Sequence, residues 1–314
     1  MPIPAARALP MCASRRFILV ALLVSAVSFV APAEAWDIEV GQYEHVELIK
    51  SGPNSVSFVA WGRQFDMQLE ASALTTAGSA ASLYRGELVG QPGSWVRLTQ
   101  IGGHFSGAVW DGSQLWLLNR RERLAPSQTR TDGGYGNETV VYPISEIRGE
   151  FADRVVGDLE QSFRPEIAAA SFGPQPGRIL DIGLVASAEF VAKHGAQAEA
   201  VLLEMFNVVE GIFITQVGVQ LRATEIVLLN TNPPGFDAED PAELLDQFGL
   251  YKFSEPTLAP LGLAHLFVAR QLDSSGSQVR LIGIANIGAL CDARNGVGIT
   301  ETADDPIFEA LIVP

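Results

Sequence analysis

Between residues 36 and 118 apolar and polar positions alternate with a period of two. Val56, Phe58 and Ala60 are separated by more polar neighbours, and after Trp61-Gly62 the pattern resumes at Phe65, Met67 and Leu69. Such alternation predicts half-buried strands. The stretch "YRGELVGQPGSWVRLTQIGGHFSGAVWDGSQLWLL" (84–118) continues it as short strands, broken at the turn pairs Pro92-Gly93, Gly102-Gly103 and Asp111-Gly112. A small, mostly-β module over 36–118 is therefore expected, with Trp95, Phe105, Trp110 and Trp116 in its core.

Residues 119–177 are polar and turn-rich and are expected to be a linker. Arg120-Arg121-Glu122-Arg123 suggests a solvated loop or a processing site, residues 144–163 a short helix, and "SFGPQPG" (171–177) a Pro/Gly connection. From Arg178 the period lengthens. "RILDIGLVAS" (178–187) and "VQLRATEIVLL" (219–229) are apolar strands. Between them, 196–217 carries Val201, Leu202, Met205, Val208, Val209, Ile212 and Phe213 at the spacing of one helical face. A second helix is predicted from Pro241 to Phe253 with Asp240 as its N-cap. Strands follow within 261–272, 279–291 and 296–301. Asp305-Pro306 then starts a last helix, with Ile307, Phe308, Leu311 and Ile312 on one face. This order implies an α/β (α+β) mixed sheet with packed helices over 178–314.

Composition changes the picture at the N-terminus. Arg7, Arg15 and Arg16 precede an apolar run, Phe17 to Val30, and Ala33-Glu34-Ala35 is a small-x-small cleavage site. Residues 1–35 are accordingly expected to be a secretory signal peptide cleaved after Ala35, since the run is shorter than a bilayer span. No later stretch approaches a membrane span, so the mature chain is expected to be secreted and soluble. With 314 residues, 47% hydrophobic, the chain has room for about two domains. Removing the leader leaves 18 basic and 35 acidic side chains, a net charge of about −17. That charge argues against nucleic acid or an anionic membrane as partner. Cys12 leaves with the leader, so Cys291 stands alone in the mature chain, either as a packed free thiol or as half of a disulfide.

The residues alone carry no catalytic constellation. Walker loops, G-x-G-x-x-G, C-x-x-C and G-x-S-x-G are all missing from the sequence. The paired carboxylates of "GDLEQ" (157–161) read as a solvated face. The histidines of the mature chain are His45, His104, His194 and His265, and the closest two are 59 positions apart. A zinc site would have to be assembled from distant residues, such as His194 with His265 and a carboxylate. His265, inside the apolar "AHLFV", reads instead as a core histidine.

The segment "LAHLFVARQLDSSGSQVRLIGIANIGALCDARNGVGITE" (263–301) resembles the reprolysin-like metalloproteases, the metzincin family of snake-venom and ADAM-type enzymes. The matching residues are Ala264-His265-Leu266, Arg270, Ile282-Gly283-Ile284-Ala285, Leu290-Cys291 and Val297-Gly298-Ile299. Val268-Ala269 depart from the family's Thr-Gly, and Asn286 from its aromatic. Residues 84–109 resemble the family's strand-rich propeptide, so the resemblance implies a propeptide module ahead of a metzincin-like catalytic domain. No cysteine lies in 36–177, which excludes a thiol switch in this chain. The family's zinc is held by H-E-x-x-H-x-x-G-x-x-H, three histidine ligands with a glutamate general base. "DDPIFEALIVP" (304–314) matches only the first turns of that helix, so neither catalytic residues nor zinc ligands are assigned here. The resemblance implies the N-terminal part of a zinc metalloendopeptidase precursor, inactive as written, with a peptide or protein substrate once completed. It also implies that Cys291 pairs with a cysteine further along. Gly296, Val297, Gly298, Ile299 and Thr300 are expected to form an edge strand that pairs with extended substrate. The alternative is a secreted, non-catalytic module that binds peptides or a protease.

Overall fold

The computed structural model describes residues 39–72, 79–124, 138–148, 178–272, 282–302 and 305–311. The expected leader and its cleavage site lie outside these residues, as do most of the expected 144–163 helix and the "SFGPQPG" connection. All described residues belong to one compact unit.

The alternating first part forms β1 (Glu39–Val40), β2 (Glu44–Val46), β3 (Ile49–Gly52), β4 (Ser55–Ala60), β5 (Arg63–Ala71), β6 (Ala81–Leu88), β7 (Trp95–Ile101), β8 (His104–Trp110), β9 (Leu115–Arg120), β10 (Thr139–Pro143) and β11 (Ile147–Arg148). Among the described residues, nine of these strands make an antiparallel sheet in the order β2-β10-β9-β8-β7-β6-β5-β4-β3, and β1 pairs with β11. Its two-residue hairpins Trp61-Gly62 and Gly102-Gly103 place all four residues at positive φ, the geometry whose twist matches that of the flanking strands. The sheet curls until Glu44 of β2 accepts a hydrogen bond from the Trp61 N–H, just past β4, at 2.7 Å. Inside the curl pack Phe58, Phe65, Met67, Leu98, Val109, Trp116 and Val141. On β7 to β10 the opposite face is buried too, through Trp95, Ala108, Trp110, Leu117 and Tyr142. Those strands read as almost unbroken buried runs for that reason.

The β-rich part therefore continues past 118. Asn119 and Arg120 end β9, and after the polar stretch β10 returns to the sheet while β11 pairs with β1. The solvated loop expected at Arg120–Arg123 is corrected: Arg121–Arg123 form a 3-10 turn in which Arg121 is only 1% exposed.

The second part is β12 (Arg178–Ala186), α1 (Ala188–His194), α2 (Ala198–Gln216), β13 (Val219–Leu228), α3 (Pro241–Ser254), β14 (Leu263–Val268), β15 (Gly283–Ala285), β16 (Val297–Glu301) and α4 (Pro306–Glu309). Among the described residues, five strands form a mixed sheet ordered β13-β12-β14-β16-β15, parallel except for β15. One face, with Val185, Leu266, Val268, Val297 and Ile299, is covered by α3 through Leu244, Leu245 and Phe248. The other, with Ile182, Leu184 and Phe267, belongs to the core built around α2. The caps follow the sequence: Asp240 accepts from the Ala242 and Glu243 amides, Asp305 from those of Ile307 and Phe308. The fold is a mixed α+β arrangement in which α2 lies between two sheets.

One position departs from the sequence reading. Gly296–Thr300 was expected at a sheet edge, but β16 runs between β14 and β15, and the edge strands are β13 and β15. An uninterrupted Val-Gly-Ile-Thr-Glu run that is buried on every residue is the signature of an interior strand, not of an edge.

Candidate functional site

The residues expected to bind substrate are already engaged. Val297, Gly298, Ile299 and Thr300 pair with Ala264 to Phe267 on one side, and the latter three with Ala285 to Gly283 on the other. The Gly296 carbonyl accepts from the Ala264 amide at 2.9 Å. Val297 and Ile299 both belong to the α3 core. Among the described residues the far sheet edge is β13, and the edge beside β16 is β15, whose three residues are half-buried. Its shortness and the following polar Asn286 were the available signals.

The strongest concentration of buried polar chemistry lies elsewhere, between α2 and the nine-stranded sheet. Glu204, Asn207 and Glu210 stand three residues apart on one side of α2, in a stretch (200–214) that is otherwise apolar, and all are buried. Arg97 of β7 donates to Glu210, at 2.8 Å from Nε and 2.6 Å from Nη2. Arg123 grips Glu204 with both terminal nitrogens, at 2.7 and 3.0 Å, and Ser106 Oγ donates to the same carboxylate. Asn207 Nδ2 donates to the Leu98 carbonyl at 3.0 Å. Between these groups Gly211 allows a close approach, since a Cβ there would lie 2.7 Å from Arg97 Cγ and 3.0 Å from the Trp95 ring. Burial opposes the Arg123 charge, yet Glu204, then Asp305 and Glu309, raise its pKa above the ordinary guanidinium value. Sequence reading gave no role to Glu204, Asn207, Glu210, Arg97 or Ser106, and placed Arg123 in a solvated loop or a processing site. The available signal was the spacing of Glu204, Asn207 and Glu210 in a helix with no other polar side chain along that stretch.

The same cluster reaches α4. Burial raises the Asp305 pKa above its ordinary value, with Arg123, the Phe308 amide and Asn119 working against the rise. Tyr142, fully enclosed, is pushed well above the usual phenol value by burial and by Asp305.

The histidines are dispersed among other structural tasks. His45 pairs with Glu138 at 2.7 Å on the surface, and His194 closes α1 with its ring 4.5 Å from that of Phe190. His265 is buried on β14, and its Nε2 is 2.8 Å from Thr300 Oγ1 of β16. Burial alone lowers its pKa to about 3, so it is neutral near pH 7, as a core histidine should be. Among the described residues no three His, Cys, Asp or Glu side chains are grouped to hold a metal ion. Cys291 is an exposed free thiol at φ 65°, in the turn whose backbone Lys252 anchors through the Asp292 and Ala293 carbonyls at 3.2 and 2.9 Å. No helix among the described residues is long and apolar enough to cross a membrane.

No family model matches the chain, and no curated protein matches it. Among solved structures, one chain described as "Structure of a chaperone-substrate complex" is similar at 17% identity with a TM-score of 0.31. The match covers 40% of this chain and 20% of that one, and a likeness so loose carries no argument about fold or activity.

Proposed function

We propose that this chain is the front part of an exported, reprolysin-like zinc metalloendopeptidase precursor, with a β-rich propeptide module packed on a metzincin-like sheet. One observation supports the reading above the rest. The three separated segments that carry the resemblance, Ala264-His265-Leu266, Ile282–Ala285 and Val297-Gly298-Ile299, converge on the adjacent strands β14, β15 and β16. Zinc is what the family implies, but the described residues offer no ligand set for it, and no hydrolytic step is assigned to side chains of this chain. The pairing with extended substrate that the resemblance implies moves to β15, because β16 has both its backbone edges occupied. The exposed thiol of Cys291 suits the disulfide that the resemblance implies.

The test is to sequence the gene and its transcript across codon 314 and read all three frames. An H-E-x-x-H-x-x-G-x-x-H motif shortly downstream, in frame or one shift away, supports the protease reading. A verified stop with that motif in no frame overturns it and leaves a secreted, non-catalytic binding module.

A further inference from the structure

The helix α4 is four residues long, too short to persist by its own backbone hydrogen bonds. Its order must come from packing and from its cap. Ile307, Phe308 and Leu311 are buried in the core shared with α2 and the nine-stranded sheet. The cap is divided between the two oxygens of Asp305. Oδ1 accepts from the Ile307 and Phe308 amides at 3.0 and 3.2 Å, while Oδ2 accepts from Asn119 Nδ2 at 2.7 Å. Asn119 lies 186 positions away at the end of β9. Its own orientation is set locally, because Asn119 Oδ1 accepts from the Arg120 amide at 2.8 Å, which turns the amide nitrogen toward Asp305 and Tyr142. Arg123, three residues after Arg120, holds Glu204 of α2 and adds a positive charge beside Asp305.

We infer that Asn119 and Arg123 of the β-rich part form a latch on α4, so that this helix stays ordered only while the nine-stranded sheet is docked against α2. One carboxyl oxygen builds the helix start, and the other reports whether the β-rich part is in place. Loss of docking would leave Asp305 Oδ2 without its donor and free the carboxyl to rotate away from the Ile307 and Phe308 amides. The latch stands without any assignment of activity. Its consequence for catalysis rests on the reading proposed above, in which α4 opens the zinc-binding helix and the module would govern that helix from behind, without a cysteine.

Hydrogen exchange followed by mass spectrometry on the full chain tests the latch, with no readout of zinc or proteolysis. Asp305→Asn keeps the size of the cap but opposes two amide nitrogens, and Asn119→Ala removes the amide donor while the Tyr142 hydroxyl stays bonded to the Asp305 carboxyl. Each should accelerate exchange of the 307–311 amides roughly tenfold while β12 and β14 keep wild-type protection. The exchanged pair Asn119→Asp with Asp305→Asn restores one donor and one acceptor and should return most of the lost protection. Unchanged exchange in 307–311, a uniform rise across the chain, or no recovery in the exchanged pair would overturn the inference. If Asn119→Ala does not fold, Asp305→Asn and the exchanged pair decide the matter alone.

Discussion

The two sides of α2 solve the same packing problem in opposite ways. Toward the five-stranded sheet the helix presents Phe206, Val209 and Phe213, which meet Ile182, Leu184, Leu263 and Phe267 around a cavity of about 30 Å³. Toward the nine-stranded sheet it presents Glu204, Asn207 and Glu210, each hydrogen-bonded across the interface. Apolar burial is non-directional and tolerates slippage and small voids. Buried charge pairs tolerate neither, because a misplaced partner leaves a charge uncompensated. Only one docking of the β-rich part sets Arg97 against Glu210 and Arg123 against Glu204 together. The apolar side holds α2 in its own half of the molecule, and the polar side selects what docks there.

The largest effect should come from breaking the polar side one partner at a time. Arg123→Ala leaves the Glu204 carboxylate buried with Ser106 alone, and about 3–5 kcal/mol of stability should be lost. Replacing Arg123 and Glu204 together by methionine should cost much less, since both charges disappear. Denaturant unfolding of both variants checks the contrast. Equal losses would show that the pair contributes only bulk.

The apolar side carries one titratable group, His265, and pH should therefore act through it. Its folded pKa, about 3, lies below the ordinary 6.5, so between these values the unfolded chain binds a proton that the native state excludes. Stability from this group is fully present above pH 6.5 and is lost as pH falls toward 3, at up to about 1.4 kcal/mol per pH unit. Asp305 has the opposite sign: its raised pKa contributes stability at low pH that is lost as pH rises through the folded value. His265→Gln keeps a polar neighbour for Thr300 and should flatten the slope of unfolding free energy between pH 5 and 7. An unchanged slope would place the proton uptake elsewhere.

Local chemistry made much of this legible in the sequence. Period-two alternation located β4 to β9, turn pairs located their hairpins, and Asp240-Pro241 and Asp305-Pro306 located two helix starts. The histidine in "AHLFV" read correctly as a core residue because its neighbours left it no other place. What was not legible depended on partners distant in sequence. Nothing near Val297 says that β15 will cover its outer edge, and nothing near Arg120–Arg123 says that a helix eighty residues later needs a cation. The apolar face of α2 was visible from its period. Its polar face was not, because Glu204, Asn207 and Glu210 have the spacing of any exposed stripe until Arg97, Ser106 and Arg123 are set against them.

Gly211 offers a finer probe of the polar side. On an exposed helix, glycine to alanine gains roughly 1 kcal/mol. Here the added methyl meets the Trp95 ring and the Arg97 stem, and overpacking costs about 1–3 kcal/mol. Gly211→Ala should therefore lower the thermal midpoint slightly rather than raise it. A rise would mean that β7 can retreat from α2 at little cost.

The smallest effect is expected from adding volume on the other side. Val209 borders the cavity between α2 and the sheet, and isoleucine there adds one methylene beside empty space rather than against a filled wall. A fully packed wall would oppose that group with strain of about 1–3 kcal/mol, whereas a void accepts it and recovers lost dispersion contacts. Val209→Ile should change stability by less than about 1 kcal/mol in either direction. The same methylene that is costly at Gly211 is tolerated at Val209, half a turn away on the same helix. Denaturant midpoints of the two variants, measured side by side, then test whether selectivity resides in one side of α2 alone; a loss at Val209→Ile as large as that at Gly211→Ala would show both interfaces to be equally exacting.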